Sequence, residues 1–429
     1  MVWRRETYSG WGRALRAEGE MARPERQSVL SGLEPAPATG GRRSYGDACL
    51  NDGGRIVNMT RLDRVLSFED GLLHVEAGAR LGEILRLFAP KGWLLPVMPG
   101  TGFATVGGAI AMDVHGKNHG AGTFGCNVTE ITLTRGGEHH ILTPGSPGFA
   151  ATVGGLGQTG IIISARIRMA TAGGRAMAVH ERRMESWDEI VGELAGSTAP
   201  YAVGWIDATA RGPNLGRGII EEAEPVDAAP PPQRKSKSVP IDAPGFALSS
   251  PVVRGFNAAY YRRVPATGRR VRRSFHDFFF PLDKLRDWNR LYGKRGFHQF
   301  QCVVPHEASD KLKAMLRMIA ESGLASPLAV LKRLSGESAG LMSFPMEGLT
   351  LAVDFPARDA AADLITRLEE MTLDAGGRIY LAKDALADAA AVDAMYPRRA
   401  AWAAEVAQVD PDGAYETDLT RRLKLRHLP

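Results

Sequence analysis

Apolar and polar positions alternate in short runs along the first third of the chain, and that pattern predicts strands. Arg55-Ile56-Val57-Asn58-Met59, Val65-Leu66-Ser67-Phe68 and Leu72-Leu73-His74-Val75-Glu76-Ala77 read as successive strands, with Glu69-Asp70-Gly71 as a turn. The period then changes. Leu81, Ile84, Leu85 and Phe88 recur at helical spacing, and Gly92 stands where a C-terminal cap belongs. Residues 128–134 alternate as a half-buried strand closed by Gly136-Gly137, and residues 161–169 form another β-branched, alternating run. Further strands are predicted over 297–305 and 350–355. A helix is predicted over 310–320, with Leu312, Met315, Leu316 and Ile319 on one face, and another follows the 350–355 strand to about Leu373. Residues 222–245 lack an apolar period and predict a mobile surface loop. Gly376 opens a last segment, with Lys383 expected in a strand near Tyr380.

At 429 residues the chain exceeds what one hydrophobic core usually supports, so two domains are expected. Ala172-Gly173-Gly174 is the natural boundary, because the glycine tracts stop there. A net charge of +5 suits an anionic ligand or a membrane surface. Nucleic acid is not indicated, since basic residues are not interleaved with aromatics and no known module is present. Cys49, Cys126 and Cys302 are far apart and form no zinc or redox spacing, which points to a reducing compartment. The first residues lack the apolar core of a secretory signal, and no apolar run approaches the ~18 residues of a membrane span. A cytoplasmic protein is expected, and peripheral attachment to the inner membrane face is compatible with the same features.

Three tracts of glycine and small hydroxyl residues carry the candidate chemistry: residues 39–47, 99–119 and 154–160. Glycine permits unusual dihedrals and close backbone approach, and free N–H groups in such turns hold phosphate oxygens. Three such loops within the first 160 residues predict one buried, phosphate-bearing cofactor. Gly155-Leu156-Gly157-Gln158-Thr159-Gly160 matches the G-x-G-x-x-G string, but the residues after it read as a strand, so a nicotinamide Rossmann site lacks its required helix. His115 and His119 stand four apart, yet Gly116 and Gly120 oppose a helix between them and no Glu follows His115. No metal site is predicted.

Taken together, Arg43-Ser44-Tyr45-Gly46-Asp47, residues 99–118, residues 151–162, Phe280-Pro281-Leu282-Asp283, Gln299-Phe300-Gln301, Tyr380-Leu381-Ala382-Lys383-Asp384 and Met395-Tyr396-Pro397 resemble one family. The chain resembles the flavin oxidoreductases of the vanillyl-alcohol-oxidase type and, among them, most resembles the decaprenylphosphoryl-ribose 2-oxidases of arabinan biosynthesis. The resemblance implies an α+β fold in which an FAD-binding domain is built from two parts. Residues 1–173 form the first part and 378–429 return to it, with an α+β substrate domain of antiparallel sheet and flanking helices inserted over 174–377. It implies FAD held without a covalent bond in the nearest relatives; other members of the class tether it through a histidine, and His115, which the noncovalent relatives also carry, leaves both modes open here. By motif match the pyrophosphate loop runs from Gly100 to Gly108 through Gly107, with Thr101 and Thr105 as hydroxyl donors. Pro99, Met112, His115, Gly116 and Asn118 flank that loop. Gly40, Arg43, Ser44, Tyr45 and Gly46 supply a second wall, Gly157, Gly160 and Ile162 a third, and Tyr380 faces the cofactor.

Oxidising a secondary alcohol sends a hydride to the flavin and the hydroxyl proton to a base. Lys383 matches the family's active-site lysine, either as that base or as a charged group binding alkoxide or phosphate, and His115 joins it as a catalytic candidate. Lys332 matches a second pocket lysine that would meet an anionic phosphate. Gln299 and Gln301, two apart on a strand, face one side and suit sugar hydroxyls. Each has a plainer reading, a surface lysine or glutamines turned to water. The resemblance also shows departures: Ala352 stands at a pocket cysteine position, Thr350 at a neighbouring asparagine position and Phe279 at a pocket tyrosine position. Arg262, Arg263, Arg269, Arg270, Arg272 and Arg273 form a basic cluster suited either to anionic headgroups or to a solvated loop. Asp354 and Asp384 read as structural partners of nearby cations.

The implied activity is FAD-dependent oxidation of a sugar's secondary alcohol, the substrate being a polyprenylphosphoryl pentose. The implied partner is a short-chain NAD(P)H-dependent reductase that would reduce the keto product and complete an epimerisation. A sugar-lactone or alditol oxidase of the same fold is the alternative, and a flavin-binding protein without turnover is a second.

Overall fold

The computed structural model describes residues 2–232 and 236–427. Its first strands form two sheets. In the four-stranded one, Arg4–Ser9 and Arg16–Ala22 pair antiparallel, and Arg55–Asn58 and Ala38–Thr39 extend the sheet in parallel. The second sheet runs Val65–Glu69, Leu72–Glu76, Ile161–Arg168, Val128–Arg135, Glu138–Leu142, antiparallel throughout. Its last hairpin turns on Gly136 and Gly137 with φ of 52° and 91°, the left-handed pair that matches strand twist. Against it packs the helix Leu81–Phe88, whose Leu81, Ile84, Leu85 and Phe88 are all buried. The strand after Gly160 rules out the Rossmann context.

An eight-stranded antiparallel sheet holds most of the remaining strands. Its order is Arg269–Arg273, Ala176–Met184, Gly218–Val226, Tyr201–Ile206, Ala329–Ser335, Glu347–Pro356, Phe297–Val304, Arg378–Ile379. Helices Trp187–Gly196, Ser309–Ser322 and Asp359–Asp374 cover one face, and Gly323, at φ 69°, ends the second of them. Period-two alternation sorts the side chains. On Phe297–Val304, Phe300 and Cys302 join the core beneath the helices, while Gln299 and Gln301 turn to the opposite face. Leu351 and Val353 likewise point to the helices, and Thr350 and Ala352 away from them. The helix-free face of this sheet therefore roofs a cavity whose floor is the glycine-rich N-terminal region.

Two expectations change here. The loop expected over 222–245 begins later, because Gly218–Val226 is a full strand paired on both sides; residues 233–235 lie outside the described residues. Lys383 is not in a strand. Only Arg378 and Ile379 pair with the sheet edge, and the Lys383 amide donates to the Tyr380 carbonyl at 2.8 Å, closing a tight turn. No helix among the described residues is long and apolar enough to cross a membrane.

Candidate functional site

The glycine tracts converge because small residues let three loops approach closely. Thr105 caps the short helix Val106–Ala111, its Oγ1 accepting from the Gly108 amide at 3.3 Å. A Cβ on Gly40 would stand 2.1 Å from that same Thr105 oxygen, so the 39–47 loop seats only a glycine there. The 99–105 loop is held from behind by Gly82 N to Gly102 O at 2.9 Å, and by Asp283, which accepts from the Thr101 hydroxyl at 2.8 Å and the Gly102 amide at 2.7 Å. Thr101 thus gives its proton to Asp283 rather than to a phosphate, a correction to its expected role. Thr105 keeps its own proton free.

The walls enclose a cavity of about 680 Å³. Gly40, Arg43, Ser44, Tyr45, Pro99, Gly100, Thr101, Thr105, Gly108, Met112, His115, Gly116, Gly157 and Tyr380 line it, as do Gln299, Gln301, Lys332 and Lys383. Five expected cofactor residues do not. Gly46 is needed for packing: a Cβ there would lie 1.7 Å from the Asp384 carbonyl. Gly107 faces Ala77, and Asn118 donates to the Pro96 carbonyl at 3.1 Å. Gly160, at φ 128°, abuts the strand carrying Thr134, and Ile162 pairs with Leu133 inside the core. Phe279 also leaves the pocket, sealed among Tyr201, Phe275 and Phe278, whereas Thr350 and Ala352 stay on its wall.

The wall at the glycine end fits a dinucleotide phosphate. The Oγ1 of Thr39 and the Nε of Arg43 are buried without a partner, and both residues line the cavity. Gly100 and Gly157 face open space, Gly157 with φ 76°. Unpaired buried donors are costly, so this wall is built for an acceptor-rich ligand. The Arg43 guanidinium is clamped between Trp11 and Phe103, 4.0 and 4.6 Å from their ring centroids. Burial pushes its pKa down to about 10, which leaves it charged at neutral pH.

Three amines, Lys117, Lys332 and Lys383, line the same cavity. The Lys383 Nζ sits 3.5 Å from the Tyr45 ring centroid. Burial lowers its pKa, and the nearby Asp354 carboxylate opposes that shift. Asp354 is fully buried, accepts from Gln299 Nε2 and from the Tyr292 hydroxyl at 3.1 Å, and is pushed up by the same burial. Among the described residues no arginine or lysine stands within salt-bridge distance of Asp354, but the Lys383 charge acts on it, so its sequence reading as a partner of a nearby cation is met by Lys383 across a longer gap. Asp384 also fits that reading, bound to Arg422 at 2.8 Å. Arg422 also grips Asp47, and the Tyr45 amide donates to Ala382 O at 3.0 Å. The turn carrying Lys383 is thereby fixed to the N-terminal loop and to the C-terminal helix Asp418–Arg422.

His115 links the roof to the second of these lysines. Gln301 Nε2 is 2.9 Å from its Nε2, Lys332 Nζ is 3.1 Å from its Nδ1, and Lys332 also donates to Gly116 O at 3.1 Å. Burial holds the imidazole neutral, well below its ordinary pKa, with Lys332 as the second cause. With the Gln301 amide donating to Nε2, the single ring proton sits on Nδ1, where the Gly116 carbonyl at 3.4 Å and the Lys332 nitrogen, as a free amine, are the acceptors within reach. Burial first, then Lys117 and Lys383, push Lys332 down to about 7, so a free amine is accessible near neutral pH.

Sequence reasoning missed three members of the site. Lys117, within the recognised 115–118 run, lines the cavity, donates to Phe278 O and is lowered to about 8 by burial. Asp283 ties the glycine loop to the large sheet's side of the cavity, and its place in Phe280-Pro281-Leu282-Asp283 was the available signal. Glu221 was silent in the sequence. The basic cluster is also corrected: Arg263, Arg269 and Arg273 converge on the fully buried Glu181, and Arg273 on Glu221, so half of it is internal.

Comparison with known proteins agrees with this geometry. A family described as FAD binding domain matches residues 33–143. The decaprenylphosphoryl-beta-D-ribose oxidase of Mycolicibacterium smegmatis is 36% identical, with 97% of each chain aligned. An uncharacterized Streptomyces coelicolor protein from the mprA 5' region is 32% identical over 80% of this chain and 100% of its own. The L-gulono-1,4-lactone dehydrogenase of Mycobacterium tuberculosis is 23% identical over 97% of this chain and 98% of its own. FAD is therefore the dinucleotide that the glycine-lined wall receives, and the chain belongs to the decaprenylphosphoryl-beta-D-ribose oxidase family of FAD-dependent oxidoreductases.

Proposed function

We propose that this chain oxidises the 2'-hydroxyl of a polyprenylphosphoryl pentose to a ketone. The observation that carries the reading is the placing of the Lys383 amine, buried and depressed in pKa, in the same cavity as the glycine wall. FAD supplies the hydride acceptor at N5. Lys383, as the free amine, takes the hydroxyl proton while the carbon gives up its hydride, and Asp354 steadies the ammonium that results. Gln299 and Gln301 hold sugar hydroxyls on the roof of the cavity. Lys332 and Lys117 meet the phosphate, and Lys332 gains a proton as the anion arrives. The keto product suits a short-chain NAD(P)H-dependent reductase, which would complete an epimerisation. The Mycolicibacterium smegmatis relative, named for a decaprenylphosphoryl ribose, supports the lipid-linked substrate.

A soluble sugar lactone is the second reading, favoured by the full-length similarity to L-gulono-1,4-lactone dehydrogenase. Anaerobic mixing of the purified flavoprotein with each substrate separates the readings. Bleaching of the flavin absorbance by a polyprenylphosphoryl ribose is expected. Bleaching by L-gulono-1,4-lactone alone would transfer the assignment, and bleaching by neither would leave a flavin-binding protein without turnover.

A further inference from the structure

We infer that the helix Ser250–Arg262 and the segment leading into it form a docking surface for an anionic lipid bilayer at the mouth of the cavity. Ten large hydrophobic side chains are exposed among the described residues, and five of them lie here: Ile241, Phe246, Val252, Phe256 and Leu291. Phe246 is 72% exposed and Phe256 51%, values that a folded protein seldom tolerates in neighbouring aromatics without a use. The segments that carry them adjoin. The short helix Gly245–Leu248 packs both on Ser250–Arg262 and on Trp288–Tyr292, which carries Leu291, and the Ala243 amide donates to Arg290 O at 2.8 Å.

Helical spacing shows that the outward face is separate from the packed one. Val253 and Asn257 turn inward, Asn257 donating to Asp207 at 2.8 Å. Val252, Phe256 and Ala259 follow at i, i+4 and i+7 on the solvent side. The surface is also continuous with the site. Phe256 stacks on Tyr260 with centroids 5.9 Å apart, Tyr260 meets Trp205 at 4.7 Å, and Tyr260 and Trp205 line the cavity. An apolar tail crossing this ladder would stay on aromatic surface from the exterior to the pocket.

Charge selects the occupant. Residues 236–296 hold thirteen Lys and Arg against four Asp and no Glu, while the whole chain carries only +5, so the rest of the molecule is net acidic. Arg263, Arg269 and Arg273 are taken up by Glu181 and Glu221, but Arg254, Arg262, Arg270, Arg272, Arg286 and Lys294 are exposed. Aromatic and aliphatic side chains rimmed by cations on one helix are what an interfacial segment needs, with apolar groups among acyl chains and basic heads at the phosphates. For the lipid-linked substrate proposed above, this surface would be the point of transfer from membrane to cavity; only that last step rests on the substrate assignment.

Sedimentation of the flavin-loaded protein with vesicles of phosphatidylcholine containing phosphatidylglycerol, and with phosphatidylcholine alone, tests the surface. Binding to the anionic vesicles is expected, weakening with salt. The double substitution Phe246→Ser with Phe256→Ser should lower it by about tenfold or more while the flavin spectrum stays unchanged. In a separate variant, Phe246→Trp, the new indole emission should shift to the blue on the anionic vesicles. Failure of the unsubstituted protein to sediment, full binding by the double variant, or an unshifted indole would overturn the inference. So would a dimer that the double substitution dissolves in the absence of vesicles, which would assign the face to a second copy of the chain. None of these readouts uses turnover, so the substrate assignment can fail without touching them.

Discussion

Replacing Lys383 with methionine isolates the proposed proton transfer. The amine stands over the Tyr45 ring at 3.5 Å in a half-buried position, and methionine has similar length, so the turn keeps its packing. The Arg422 bridges to Asp47 and Asp384 that hold the turn are left intact. What disappears is the base. A positioned general base contributes about 10²–10⁴ in rate, or roughly 2.7–5.5 kcal/mol of barrier. Stopped-flow anaerobic reduction should fall by that factor, while the flavin-to-protein absorbance ratio stays at the unsubstituted value. The pH profile gives a second reading. Burial depresses the Lys383 pKa and only the free amine accepts a proton, so reduction should accelerate with rising pH along a limb well below the ordinary lysine value of about 10.4. Asp354 opposes the depression, so Asp354→Asn should move the limb further down, and Lys383→Met should abolish it. Reduction by Lys383→Met within about tenfold of the unsubstituted rate, with the limb still present, would refute the assignment.

Three further outcomes are expected. Gly40→Ala would drive a methyl to within 2.1 Å of Thr105 Oγ1 and disturb a cap worth about 1 kcal/mol, so flavin occupancy should fall, measured by the absorbance ratio after gel filtration. Glu369 is raised to about 9, first by burial and then by the Asp384 charge, so the folded state holds a proton that the unfolded state has released. Stability should therefore decline between about pH 4.5 and about pH 9, with roughly 3 kcal/mol already lost at neutral pH. Denaturant titrations of Glu369→Gln should show that slope flattened and stability raised in the alkaline range; an unchanged slope would count against it. Finally, Ala352 lies on the cavity wall, at the position where the resemblance places a pocket cysteine. A thiol-reactive compound directed to the pocket should add to Ala352→Cys one adduct that the unsubstituted protein lacks, read as intact mass.

The sequence announced secondary structure wherever one periodicity dominated. Helix Leu81–Phe88 follows its pattern because one face is buried and the other is not, whereas strand Ile161–Arg168, buried on both faces over most of its length, was legible from its β-branched run. The convergence of three glycine tracts was legible for a related reason, since nothing but close backbone approach requires so many missing side chains. Lys383 shows where this stops. Its run, Ile379-Tyr380-Leu381-Ala382, is apolar enough to read as a buried strand, but only Arg378 and Ile379 pair with the sheet edge, and the chain turns to meet Tyr45. The arginine cluster misled for the opposite reason. Its partners, Glu181 and Glu221, come from strands far away in sequence, so internal pairing was invisible until the large sheet assembled. Lys117 fell between these cases, lying inside a recognised run but with its target, the Phe278 carbonyl, in a distant segment.

The bridges from Arg422 to Asp47 and Asp384 set an order on the molecule's birth. The tracts around Gly40, Gly100 and Gly157 emerge first, and the lysine turn with its anchor arrives some 265 residues after Gly157, roughly 10–50 s later at usual synthesis rates. Until then the roof strands and the lysine turn that complete the pocket are unmade, and a dinucleotide arriving before the Arg422 latch forms would meet an open cradle. Cells starved of riboflavin during translation should therefore accumulate apoprotein that takes up added cofactor slowly, a kinetic signature of a holder that closes behind its guest.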